Sequence, residues 1–185
     1  SYLPQLFHYE DKTAKKIAQM LKKTRKDYQE LERFLQEAQK ENGILLSDKQ
    51  AEAVLMCIKN QFSVITGGPG TGKTTVLKVI LSVYQKLFEG KEILLAAPTG
   101  RAARKMAEST GFLHASTLHS ALGLISEDMF CDENTVLSAD FVIVDETSMV
   151  DMQLAYHLFD SLGSNTKLLF VGDVNQLPSV GAGNV

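Results

Sequence analysis

Phe62-Ser63-Val64-Ile65-Thr66-Gly67-Gly68-Pro69-Gly70-Thr71-Gly72-Lys73-Thr74-Thr75 decides how this chain is read. The run Phe62–Thr66 has the length and apolar character of a buried strand. Thr74–Phe88 has no glycine or proline and reads as a helix. Between them lies G-x-x-x-x-G-K-[ST], in the strand-turn-helix context that the pattern requires. Glycines let the backbone curl so that several N–H groups point at one anion, and the helix N-terminus adds partial positive charge. Gly68, Pro69, Gly70, Thr71, Gly72, Lys73, Thr74 and Thr75 are therefore candidate nucleotide-binding residues. Lys73 can reach the β- and γ-phosphate oxygens, and the Thr74 hydroxyl can ligand Mg²⁺.

Two further apolar runs end in polar groups. Phe141-Val142-Ile143-Val144 delivers Asp145 and Glu146. Asp145 can hold the metal through water, and Glu146 can polarise a water aimed at the γ-phosphate. A nucleotide switch or a kinase needs the first acid but not necessarily the second, so the pair favours hydrolysis. Leu168-Leu169-Phe170-Val171-Gly172 leads to Asp173, Asn175 and Gln176. An amide such as Gln176 can bond a γ-phosphate or the attacking water, and so tell triphosphate from diphosphate.

With Glu92–Ala97, these strands alternate with helix-like segments at Gly100–Ser109, Thr117–Leu122 and Met152–Leu162. That alternation predicts an α/β fold, a parallel sheet with helices on both faces and its strand tips on one edge. Ser126–Ser138 reads as a loop. Ser47, with Gln50 three residues on, opens another helix through about Asn60.

Glu10–Glu41 lacks glycine and proline and reads as one or two helices, an N-terminal helical segment (1–43) ahead of the sheet domain (44–185). Ile17, Leu21, Thr24, Tyr28, Leu31, Leu35 and Ala38 form a heptad seam. It fits an amphipathic helix docked on its own or a neighbouring domain, or a coiled-coil dimer, which Thr24 in mid-seam weakens.

The chain has 185 residues, 44% hydrophobic and 22% charged, enough to bury a core and too apolar for low-complexity disorder. No run approaches bilayer length, and no signal peptide is visible. Cys57 and Cys131 form no CxxC pair, which argues against a disulfide framework or zinc site and for a cytoplasmic setting. A net charge of −3 leaves room only for a local basic groove. A start at Ser1-Tyr2 and an end at Gly183-Asn184-Val185 are expected of a piece of something longer.

Gly67–Thr75, Ala97–Met106 (APTGRAARKM), Val142–Asp151 (VIVDETSMVD) and Leu168–Val185 (LLFVGDVNQLPSVGAGNV) closely resemble motifs I, Ia, II and III of superfamily 1 helicases. The spelling is similar to that of RecD/TraA-type 5′→3′ DNA helicases, also called exodeoxyribonuclease V alpha chains, over residues 44–185. The resemblance implies a RecA-like P-loop ATPase domain using ATP and Mg²⁺, acting on single-stranded DNA in recombination and repair. It also implies a second RecA-like domain carrying an arginine finger, nuclease-complex subunits as possible partners, and no membrane. Lys73, Glu146 and Gln176 would be catalytic, and Thr74 and Asp145 would hold the metal. Gln50 stands where the family reads adenine. Thr99 and Arg101 match the motif that contacts the DNA backbone, supported by positive charge at Arg104 and Lys105. Thr117-Leu118-His119 resembles a second DNA-binding motif, with Thr117 and His119 along the strand. Phe62 and Phe112 are stacking candidates, with core packing the stronger reading for Phe62. The resemblance further implies that the strand ending at Gly172 lies between the phosphate-loop strand and the Asp145 strand. Two other readings fit the residues: a P-loop kinase, for which no acceptor lid is visible, and a nucleotide-switched binding module, which the heptad seam favours.

Overall fold

The computed structural model describes residues 12–20, 29–66, 72–112, 115–123 and 138–172. Gly68, Pro69, Gly70, Thr71 and Gln176 lie outside the described residues, as do Leu21, Thr24, Tyr28, Cys131 and nearly all of the 126–138 loop.

The elements follow in order as α1 (12–20), α2 (Leu31–Asn42), α3 (Asp48–Lys59), β1 (Phe62–Thr66), α4 (Lys73–Leu87), β2 (Ile93–Ala97), α5 (Gly100–Thr110), β3 (Ser116–Thr117), α6 (Leu118–Ala121), β4 (Phe141–Val144), α7 (Met152–Ser161) and β5 (Lys167–Gly172). A 3₁₀ turn spans Thr147–Met149. The five strands form one all-parallel sheet in the order β1-β5-β4-β2-β3. β5 thus lies between β1 and β4, as expected. The two-residue β3 was not expected, because two residues carry no periodicity.

The strands read as continuous apolar runs because both faces are covered. Leu95, Phe141, Ile143, Leu169 and Val171 enter one core, with residues of α2, α3, α4 and α5. The alternate residues Ala96, Val142, Val144, Leu168 and Phe170 enter the other, with α6 and α7. On edge strand β1, Val64 remains 45% exposed.

The heptad seam divides between these cores. Ile17 packs in the second, while Leu31, Leu35 and Ala38 are buried in the first, against residues of α3 and α4. Residues 29–30 form a turn before α2. The described seam positions therefore follow two helices docked on opposite faces of one sheet, and their side chains are taken up within the chain. Gly43, at φ 63°, ends α2 in the left-handed conformation.

Candidate nucleotide site and nucleic-acid edge

The amino end of α4 is where the phosphate turn reaches the described structure. Gly72 caps the helix at φ 79° and ψ 25° and accepts from the Val76 N–H through its carbonyl at 3.0 Å. A Cβ there would lie 2.7 Å from Gln50 Nε2. Glycine suits the left-handed backbone here, and any side chain would also have to displace the Gln50 amide. The first turn of α4 holds no acidic residue. Its helix dipole therefore adds positive potential at the turn where Lys73 stands. Thr74 is exposed.

Gln50 arrives beside this turn through the α3 cap. Ser47 Oγ accepts from the Gln50 N–H at 3.3 Å, and the Ser47 N–H donates to Gln50 Oε1 at 3.0 Å, a reciprocal capping box. The candidate base reader thus sits against the phosphate turn, with its carbonyl engaged by its own helix.

Asp145 and Glu146 follow β4 directly. The Asp145 N–H donates to the Ala96 carbonyl of β2 at 3.0 Å, extending the sheet one residue past β4 on that side. The Glu146 N–H donates to Asp145 Oδ1 at 2.8 Å. Glu146 has φ 55° and is the only non-glycine residue with positive φ among the described residues. A left-handed conformation costs an L-residue roughly 1–2 kcal/mol and concentrates where a fixed geometry is needed. Both acids are half-buried.

The remaining sites follow β2 and β3. Ala97 pairs with Thr117 across the sheet. Thr99 caps α5, accepting from the Ala102 N–H at 3.2 Å, and Thr117 caps α6, accepting from the Ser120 N–H at 3.1 Å. Each hydroxyl can still donate its own proton to a phosphate oxygen. Arg101, Arg104, Lys105 and His119 are exposed, and the first turn of α5 contains no acid. Phe62 packs its ring on Phe159 and Phe170 at 5.8 and 5.5 Å between centroids, and Phe112 is half-buried against the core. Phe62 thus packs with the core, as expected, and Phe112 lies half-buried at its margin.

Sequence reasoning missed Thr147 and Lys167. Thr147 is buried, and its hydroxyl donates to the Val171 carbonyl at 3.3 Å. Lys167 Nζ donates to the carbonyls of Cys57, Ile58 and Asn60 at the end of α3. The sequence signal for Lys167 was a lone charge flanking an apolar strand, and for Thr147 its place directly after the acidic pair.

Among the described residues, no group of three or more His, Cys, Asp and Glu side chains converges as a metal site. A P-loop metal needs no such group, being held by one hydroxyl, one carboxylate and the phosphates themselves. Thr74 and Asp145 fit that donor set by the chemistry of their side chains.

A parallel sheet with a glycine turn feeding the N-terminus of α4 and an acidic pair closing β4 defines a nucleotide-binding P-loop domain of the RecA-like type. A family model described as "AAA domain" matches residues 50–182. The chain is 39% identical to the RecBCD enzyme subunit RecD of Haemophilus influenzae, over 92% of this chain and 31% of the relative. It is 39% identical to the ATP-dependent RecD2 DNA helicase of Deinococcus radiodurans, over 75% of this chain and 19% of that protein. A crystal structure of Pif1 helicase from Bacteroides superposes with TM-score 0.50 at 25% identity, covering 77% of this chain and 35% of the other. The chain belongs to the AAA-domain family, on its RecD-type superfamily 1 helicase branch. It spans about a third or less of the length of these curated relatives. No helix among the described residues is long and apolar enough to cross a membrane.

Proposed function

We propose that this chain is the ATP-binding and hydrolysing motor domain of a 5′→3′ DNA helicase that works on single-stranded DNA in recombination and repair. The observation that carries this reading is the order of strand tips along one sheet edge, β1-β5-β4-β2-β3. The phosphate turn follows β1, Gln176 lies beyond β5, and Asp145 and Glu146 follow β4. Thr99 and Arg101 follow β2, and Thr117 and His119 follow or end β3. Nucleotide chemistry thus occupies one half of the edge and backbone-binding groups the other, with the acidic pair at the boundary.

In this reading the phosphate turn, Lys73 and Thr75 hold the triphosphate, and Gln50 contacts the base. Thr74 and Asp145 are the ligands for Mg²⁺, which when bound neutralises phosphate charge. Glu146 takes the proton from the attacking water, and Gln176 distinguishes triphosphate from diphosphate. Loss of the γ-phosphate contacts relaxes the nucleotide half of the edge, and grip on DNA by the other half changes with it. The helices before residue 44 cover opposite faces of the sheet that carries this edge. A second RecA-like domain completes the ATP site, and nuclease-complex subunits are further partners by analogy with the RecD relatives. A cytoplasmic location accords with that work.

The test is Glu146→Gln in the full-length protein. ATP binding should remain within about threefold of the parent, while turnover falls by roughly 10²–10⁴, the usual contribution of a positioned general base. Turnover close to the parent's would show that Glu146 is not the base.

A further inference from the structure

We infer that Thr147 is a positioning residue for the hydrolytic step, tying the Glu146 turn to the exit of β5; this rests on the reading of Glu146 as the general base. The β4–β5 ladder ends at the Val144–Phe170 pair. Beyond it the chain parts from β5, keeping the Asp145 bond to β2, while β5 continues, paired to β1 through Gly172. The Val171 carbonyl therefore has no β4 residue opposite it. The Thr147 hydroxyl supplies the donor instead, at 3.3 Å and with the residue only 4% exposed. Because backbone carbonyls in the interior are almost always paired, this hydroxyl substitutes for a rung of the ladder.

Its place in the chain gives that rung its consequence. Thr147 follows Glu146, whose left-handed backbone is held by the Asp145 carboxylate on one side and by its own carbonyl on the other, the latter accepting from the Met149 N–H at 3.0 Å. The Val150 N–H donates to the Thr147 carbonyl at 3.1 Å, closing the turn. All three of these bonds are internal to the turn. The Thr147 hydroxyl is the described side-chain bond that carries it across to β5. Val171 in turn stands just ahead of Asp173 and Gln176 in sequence. One buried hydroxyl thus links the carboxylate that would activate water to the strand leading to the amide that would sense the γ-phosphate. The Thr147 hydroxyl is engaged by the Val171 carbonyl, and the start of α4 is built from other residues.

Steady-state ATP hydrolysis by the full-length protein separates the outcomes. Thr147→Val keeps the side-chain shape and removes the hydroxyl. It should lower kcat about ten- to a hundredfold, the effect of a misplacement on the order of 1 Å, with KM for ATP within about twofold. Thr147→Ser, which restores the hydroxyl, should return kcat to within about threefold of the parent. Should the valine variant fail to fold, Thr147→Ala reads the same loss, with retained ATP binding certifying its fold. A hydroxyl-free variant that turns over within about threefold of the parent overturns the assignment. So does a serine variant that falls as far as valine, or a KM that rises in step with the loss, since either marks general damage. If the parent itself does not hydrolyse ATP, the reading of Glu146 fails and this inference falls with it.

Discussion

Gly72 and Glu146 share the left-handed region of backbone space, one as a glycine and the other as a charged residue that pays for it. At Gly72 the backbone sets the requirement, and the Gln50 amide adds a contact that a Cβ would displace. Gly72→Ala should therefore strain the backbone by roughly 1–2 kcal/mol and push Gln50 aside. We expect a thermal midpoint lower by about 2–8 °C for a chain of this size. Nucleotide affinity should fall about tenfold or more, equivalent to at least ~1.4 kcal/mol. Unchanged affinity in a folded Gly72→Ala protein would separate the α4 terminus from the nucleotide site. Gly72 was legible in the sequence because the phosphate pattern names it. The strain at Glu146 was not, since an Asp-Glu pair after a strand can be followed by many turns.

Among elements, α3 shows what a linear reading reaches and where it stops. Its start was legible through Ser47 and Gln50, three residues apart. Its end near Asn60 was legible too, but not what holds it: Lys167, more than a hundred residues away, donates to the carbonyls of Cys57, Ile58 and the cap residue Asn60. The same junction encloses Cys57. Burial pushes its thiol from 9.0 up to about 12, opposed by the nearby Lys167 charge and a hydrogen bond with Ser63. The thiol is therefore neutral in the fold and titrates first in the unfolded chain. Its contribution is intact below pH 9 and is lost as pH rises from 9 toward 12. The lost stability approaches ~1.4 kcal/mol per pH unit for one proton. Urea unfolding between pH 8 and 10.5 should show a steeper decline for the parent than for Cys57→Ala. Parallel slopes would mean the thiol is not held neutral. The N-terminal seam was legible as docked helix, but a heptad repeat says which side of a helix is apolar and not what covers it. Here two different cores do so, on opposite faces of one sheet.

At the scale of the molecule, the sheet order was legible only through resemblance; hydrophobic periodicity marks strands but cannot rank their neighbours. That order also bears on whether the chain can complete a phosphoryl-transfer site alone. Its four arginines are Arg25, Arg33, Arg101 and Arg104. Arg33 is engaged on α2 by Glu30 and Glu37 at 3.1 and 3.6 Å. Arg101 and Arg104 follow β2, three strand spacings from β1, a separation of about 14 Å at ordinary sheet dimensions. Arg25 lies outside the described residues. None of the three described arginines is thus placed to neutralise charge at the phosphate turn, a contribution typically worth 10³–10⁵ in rate. The 185-residue chain alone should bind Mg·ATP but hydrolyse it about 10³-fold or more slowly than the full-length protein. Single-stranded DNA should bind it through the β2–β3 half of the edge without accelerating turnover. Arg101→Ala should weaken that binding and reduce its logarithmic salt slope by about one, leaving ATP affinity unchanged. DNA-stimulated turnover by the isolated chain within about tenfold of the full-length rate would require the missing positive charge to come from this domain, and would return attention to Arg25 and the arginines of α5.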